Sequence, residues 1–407
     1  MFSYIARQAI FDKQMHVFAY ELLFRDGEDN TLPDIESNEK TAKLITHSHF
    51  SVGIEEVADG KAALINFQTD TLLYRFPTLL EPHSVIVGIE NNIEVSKKLL
   101  EALKHIKGLG YKLALNDYDF DPKWDPILTI VSYIKIDVST TNAQLIKDNK
   151  ARFQQTKIKL IATEIESTTL FAQCCELGFD YFQGYFFFQP EIQKQKSIPS
   201  SKLNLLDLMR ESANPQLDFN KIRQILEKDV GLSYMLMRFI NNPIMNKRNK
   251  IQSLSHALNY MGEVEIKKFI ALVAIANLSD EKPTELIRLS LVRAKLCEFI
   301  SMAKQDADNP PKGFLVGLFS LLDALLDQKM STLLKKLPLS NDLNDALNGI
   351  HGQLREYLVI ARAFEYGDWK GVSHHSTKLE LDQDMLHSFY HESIKWASAI
   401  ASSIHRK

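Results

Sequence analysis

The stretch YKLALNDYDFDP, residues 111–122, sets an apolar run against a crowd of polar side chains. Lys112 to Leu115 reads as the end of a buried strand, with Asn116, Asp117 and Asp119 in the turn behind it. Carboxylates gathered at a strand end serve metal binding or acid–base chemistry. Asn116 stands where a second, adjacent carboxylate would be, and no glycine follows. Its amide offers a carbonyl lone pair but no negative charge to a cation. Polar residues close other strand-like runs as well: Asn66, Glu90, Asp137, Thr163 and Gln183.

Seven apolar runs would position them, at 16–24, 62–67, 84–90, 112–117, 133–138, 158–163 and 179–187. Segments with helical apolar spacing lie between, such as NIEVSKKLLEALKHIKGLG with Gly110 near its C-cap. Repeated strand–helix units predict a parallel sheet, open or closed into a barrel whose strand ends carry the site. The stretch 189–204 has two prolines and little hydrophobic period, and from Leu205 onward nothing reads as a strand. The reading is two domains, 1–192 and 205–407, joined by a linker at 193–204, the second domain all-helical.

Composition narrows the classes. Net charge is −3, with 45% hydrophobic and 24% charged residues, so no global field draws the chain to nucleic acid or anionic lipid. No apolar run reaches the length of a membrane span, and the charged N-terminus is no signal peptide, which predicts a cytoplasmic protein. Cys174, Cys175 and Cys297 lack metal-ligand spacing and read as reduced thiols. None of the twelve histidines precedes an aspartate. His256 reads as a core histidine, and His374-His375 as a surface loop. The basic run Asn246–Lys250 reads as a solvated loop, so nucleic acid is not expected as a partner.

The strand-end residues, taken in order, resemble the EAL domain, a TIM-like barrel whose active members hydrolyse cyclic di-GMP with two Mg2+ or Mn2+ ions. RQAIFD is similar to its opening strand, with Gln8 kept. YELLFR is similar to the signature, matching Glu21 to a metal ligand and Arg25 to a phosphate contact. Asn66, Glu90, Asp117, Lys135, Glu166 and Gln183 fall at further matching points, Glu21, Asn66, Glu90 and Asp117 as metal ligands. Two positions depart: Asn116 replaces an aspartate, and in LIATEIES Thr163 stands where an acid belongs. The family's Gly-Thr-Gly loop is replaced by Tyr118-Asp119-Phe120. Glu164 is one residue along, which on a strand turns a side chain to the opposite face unless the strand bulges.

Residues from about 200 resemble the HDOD domain, carried by EKDVGLSYMLMRFINNP and IQSLSHALNYMGEVEIKKFIAL. The resemblances together imply a degenerate, non-enzymatic protein of cyclic di-GMP signalling. It would use no cofactor and act on a signalling partner through the HDOD domain. The alternatives are a cyclic di-GMP receptor, and a weak phosphodiesterase using Mg2+ or Mn2+ with Glu164 or Glu166 recruited.

Overall fold

The computed structural model describes residues 4–25, 54–186, 217–243, 245, 251–278, 282–306, 311–335, 337 and 339–404. The expected linker and the basic run Asn246–Lys250 lie outside them. Two compact units are formed, Met1–Phe187 with Glu365–Trp369, and Phe188–Phe364 with Lys370–Lys407.

The first unit is a closed barrel of eight strands in chain order. They are β1 (Tyr4–Asp12), β2 (Val17–Arg25), β3 (Ala62–Phe67), β4 (Val85–Ile89), β5 (Lys112–Leu115), β6 (Tyr133–Asp137), β7 (Lys159–Thr163) and β8 (Tyr181–Gln183). Neighbours from β2 to β8 are parallel. β1 is antiparallel to both β2 and β8, so the barrel is not the wholly parallel one expected. Lys13–His16 is long enough for a hairpin between β1 and β2 and far too short for a parallel crossover. Patterning alone gave seven strands; β1 was visible only through the resemblance.

Strand alternation builds the interior in layers. Ile10, Ala19, Leu64, Ile86, Ala114, Tyr133 and Ile161 form an apolar inner layer, with Phe18 stacked on Tyr181 at 3.9 Å between ring centroids. Two residues further along β2 to β8, or just past the end of β5, on the same face, stand Glu21, Asn66, Gly88, Asn116, Lys135, Thr163 and Gln183. A packed floor thus carries a polar layer toward the C-terminal ends of the parallel strands. The alternate residues face outward, where Ile65, Val87, Leu113 and Ile134 pack under surrounding helices. Those helices are α1 (Thr69–Leu73), α2 (Lys97–Gly108), α3 (Asp125–Leu128), α4 (Ala143–Thr156) and α5 (Thr168–Leu177). Ser96 and Ser167 cap α2 and α5 by accepting from Leu99 and Leu170 N–H. Cys174 is buried in this core and Cys175 half-buried, both as free thiols.

After the barrel the described residues form helices α6 (Phe219–Glu227), α7 (Val230–Ile240), α8 (Leu254–Leu278), α9 (Thr284–Ala303), α10 (Lys312–Phe319), α11 (Leu322–Leu326), α12 (Met330–Leu334), α13 (Asn341–Leu347), α14 (Gln353–Tyr366), α15 (Trp369–Lys378) and α16 (Gln383–Ile404), of which Glu365, Tyr366 and Trp369 are grouped with the first unit. Asp229 caps α7, whose Met235, Leu236, Phe239 and Ile240 are core. Gly262 breaks α8 at φ 72°, a conformation glycine adopts without steric cost. Two histidine expectations fail. His256 is exposed, because Ala257, Leu258 and Met261 form the buried face. His374-His375 lies within α15, not a loop, with His375 Nδ1 2.8 Å from Glu356 Oε2. Among the described residues, no helix is long and apolar enough to cross a membrane.

Gly88 leaves the space that Asn66 occupies: a Cβ there would overlap Asn66 Oδ1 and stand 3.1 Å from Ile65 O. Gly88→Ala should cost about 1–3 kcal/mol by overpacking. Urea denaturation showing less than half a kcal/mol would mean that Asn66 is freer than its surroundings imply.

Candidate functional site

The polar layer centres on Glu21, which is 5% exposed. Lys135 Nζ donates to its Oε1 at 2.7 Å and Asn66 Nδ2 donates to the same oxygen at 3.1 Å. Gln183 Nε2 donates to Oε2 at 2.6 Å and to Gln8 Oε1 at 2.7 Å. Burial alone would raise the Glu21 carboxyl. The Lys135 charge and the hydrogen bonds from Gln183, Lys135 and Asn66 outweigh burial and hold it below its ordinary value.

These contacts fix the amides by a chain of necessity. Asn66 must donate to Glu21, so its Oδ1 faces Asn116, whose Nδ2 donates to it at 2.8 Å. Asn116 also hydrogen-bonds Glu90. Its Oδ1 is left buried with no partner, and so is Gln183 Oε1. Two orphaned acceptors beside carboxylates lack a donor or a cation.

Above this layer opens a cavity of 1050 Å³, lined by Gln8, Glu21, Asn66, Asn116, Lys135, Thr163 and Gln183, with Glu90, Asp117, Asp137, Glu164 and Glu166 also on its walls. The structure therefore brings together the sequence candidates apart from Arg25. That residue ends β2, but its side chain lies outside the described residues. The aromatic residues after Asp117 do not fill the cavity. Tyr118 packs edge-on against Phe153, and buried Trp124 donates its indole N–H to Asp119 at 2.7 Å.

Burial raises Glu90, helped by the charges of Glu21 and Asp117 against Lys135. It raises Asp117, where Glu21 and Asp137 add repulsion. Glu164 is an exposed side chain, but the cavity walls take part of the water from its carboxyl, and that partial desolvation, with the charges of Asp137, Glu166 and Asp117, raises it. Asp137 is the exception: burial pushes its carboxyl up, but hydrogen bonds from Ser139 and Thr140 outweigh that and lower it.

The expectation for Glu164 needs correcting. It was to point away from Thr163, yet both residues line the cavity. Glu164 has φ 58°, a left-handed backbone that ends strand alternation just after β7. Sequence patterning had no signal for this, since glutamate rarely adopts that conformation. Gln68, Thr69, Asp70 and Asn92 on the rim were also missed; each closely follows a strand or opens a helix.

Two stability outcomes follow. Lys135→Met leaves Glu21 buried and unpaired and should cost about 3–5 kcal/mol, most of it recovered in Lys135→Met/Glu21→Gln. Denaturant melts in which the double variant is no better than the single would refute the pairing. Glu90, Asp117 and Glu164 work with the opposite sign to Glu21. Their raised values mean that the stability gained by protonation is full in acid and lost as pH rises through those values. Glu164→Gly should thus be more stable than the parent near neutral pH, by about 1 kcal/mol from the left-handed backbone alone. The gap should narrow as pH falls below the ordinary carboxylate range, and a less stable variant at neutral pH would contradict this.

Comparison with known proteins bears on chemistry. The HDOD domain family matches residues 198–336. Cyclic di-GMP phosphodiesterase CdgJ of Vibrio cholerae serotype O1 is 32% identical over 403 residues, covering 98% of this chain and 93% of its own. The uncharacterized protein YuxH of Bacillus subtilis is 29% identical over 401 residues, covering 97% of each. Among solved structures, Klebsiella pneumoniae BlrP1 in a calcium/cyclic di-GMP complex aligns with 17% identity and a TM-score of 0.37, over 45% of this chain and 54% of that one. The expectation that the chain is no enzyme is overturned by CdgJ, a phosphodiesterase by name and alike over nearly the whole length. That expectation leaned on the carboxylates missing at Asn116 and Thr163 and on the replaced Gly-Thr-Gly loop.

Proposed function

The chain belongs to the family of the Vibrio cholerae phosphodiesterase CdgJ, and from that premise we propose that its barrel hydrolyses a phosphodiester bond of cyclic di-GMP. The observation that carries this reading is the cavity itself. Its walls bring together carboxylates carried by five strands or the turns behind them, one buried lysine and two orphaned amide oxygens. A dianionic dinucleotide is repelled by such walls unless cations offset them. Divalent ions are the fitting class, since carboxylate and amide oxygens are the donors that Mg2+ and Mn2+ take.

Glu21, Asn66, Glu90 and Asp117 would hold the cation, with the free Oδ1 of Asn116 as a neutral donor. Among the described residues, no three Asp, Glu, His or Cys side chains stand close enough to hold an ion as they are. Asp117, Glu164 and Glu166 are exposed side chains on the cavity walls. The chemistry such a cation supplies is polarisation of the phosphoryl group and a bound water acidic enough to ionise near neutral pH. Lys135 and Gln183 hold Glu21 in one orientation from opposite sides. Gln8, Gln68 and Asn92 offer neutral hydrogen-bonding groups on the walls, suited to a polar ligand.

Full-length protein incubated with cyclic di-GMP and Mg2+ or Mn2+ should yield linear dinucleotide. Asp117→Asn should lower kcat/KM by about 100-fold, the upper end of what a lost supporting partner costs a metal site. No product from the parent protein with either metal would overturn the reading.

A further inference from the structure

Consecutive strand residues point to opposite sides of a sheet. At two strand ends in this barrel they do not. Asn116 and Asp117 both line the cavity after β5, and Thr163 and Glu164 do so at the end of β7. In each pair the second residue is left-handed, φ 43° at Asp117 and φ 58° at Glu164. The turns are pinned by backbone hydrogen bonds, Tyr118 N–H to Lys135 O at 2.9 Å and Ile165 N–H to Gln183 O at 3.2 Å. Each pair thus presents one buried neutral group, an amide or a hydroxyl, and one exposed carboxylate to the same space.

An independent sign of a missing ligand lies beside the carboxylates. Asn116 is 2% exposed, lines the cavity, and has an Oδ1 with no hydrogen-bond partner. Its Nδ2 is committed to Asn66, so the amide cannot turn over without placing two acceptors face to face. A buried acceptor so fixed takes a cation, a water or another donor from outside the chain.

We propose that Glu164, with Asp117 and the Oδ1 of Asn116, forms a divalent-cation site to which the turn after β7 contributes the Glu164 carboxylate. This deepens the phosphodiesterase reading and rests on it. The left-handed turn lets a residue one position beyond the strand act from the same wall. A carboxylate at the end of such a turn reaches into the cavity from its rim, while Thr163 stays in the buried layer.

The test is calorimetric titration of the full chain with Mn2+ alone, in the parent, Glu164→Gln and Glu164→Gly. Both variants should bind Mn2+ at least about tenfold more weakly. Glycine keeps the left-handed turn, so weakening there belongs to the carboxylate and not to the backbone. Unchanged Mn2+ affinity in either variant overturns the assignment. Turnover of cyclic di-GMP is followed on the same samples. A parent that binds Mn2+ and turns over, with variants that bind as well as it does, sinks Glu164 alone. A parent with neither property sinks the phosphodiesterase reading and the cation site with it.

Discussion

The buried carboxylate of Glu21 is the constraint from which the rest of the site follows. A charge removed from water needs a partner and a full set of hydrogen bonds. Here three other strands supply them: β3 through Asn66, β6 through Lys135 and β8 through Gln183. Those strands must therefore end at matching heights, and Gly88 must be small enough to let Asn66 reach. The orientation of Asn66 then dictates that of Asn116. The orphaned oxygen of Asn116 is the far end of a sequence of forced choices that starts at one carboxylate.

The surrounding charge is unbalanced. Lys135 answers Glu21, while Glu90, Asp117 and Glu164 crowd the walls with their carboxyls raised by burial and by one another. Left-handed backbone at two of these positions adds to the cost. Unfavourable terms gathered in one cavity of an otherwise well-packed barrel mark a place shaped for something other than stability.

Much of this was legible in the sequence because it follows the period of two. Leu64 to Asn66, Ala114 to Asn116 and Tyr133 to Lys135 each step from floor to polar layer; patterning put Asn66 at a strand end and Asn116 just behind one, while Lys135 was marked only by the family resemblance. What escaped were the residues where that period stops. Glu164 owes its position to a φ value that no hydrophobic pattern encodes, whereas Asp117, also left-handed, was legible as a carboxylate in the turn behind β5. β1 escaped patterning because its pairing is set by a hairpin, and its buried Arg7 breaks the apolar run. His256 was misplaced because a single residue's phase on a helix needs the neighbouring helix to define it.

The segment behind Asp117 has a thermodynamic consequence of its own. Tyr118, Phe120 and Phe153 pack ring against ring, Asp121 caps the turn through Lys123 N–H, and the Trp124 indole is tied to Asp119. The conformational entropy lost in ordering these residues falls on folding and not on association. A ligand entering the cavity meets this stretch already set, so the heat capacity change of binding carries no contribution from folding it.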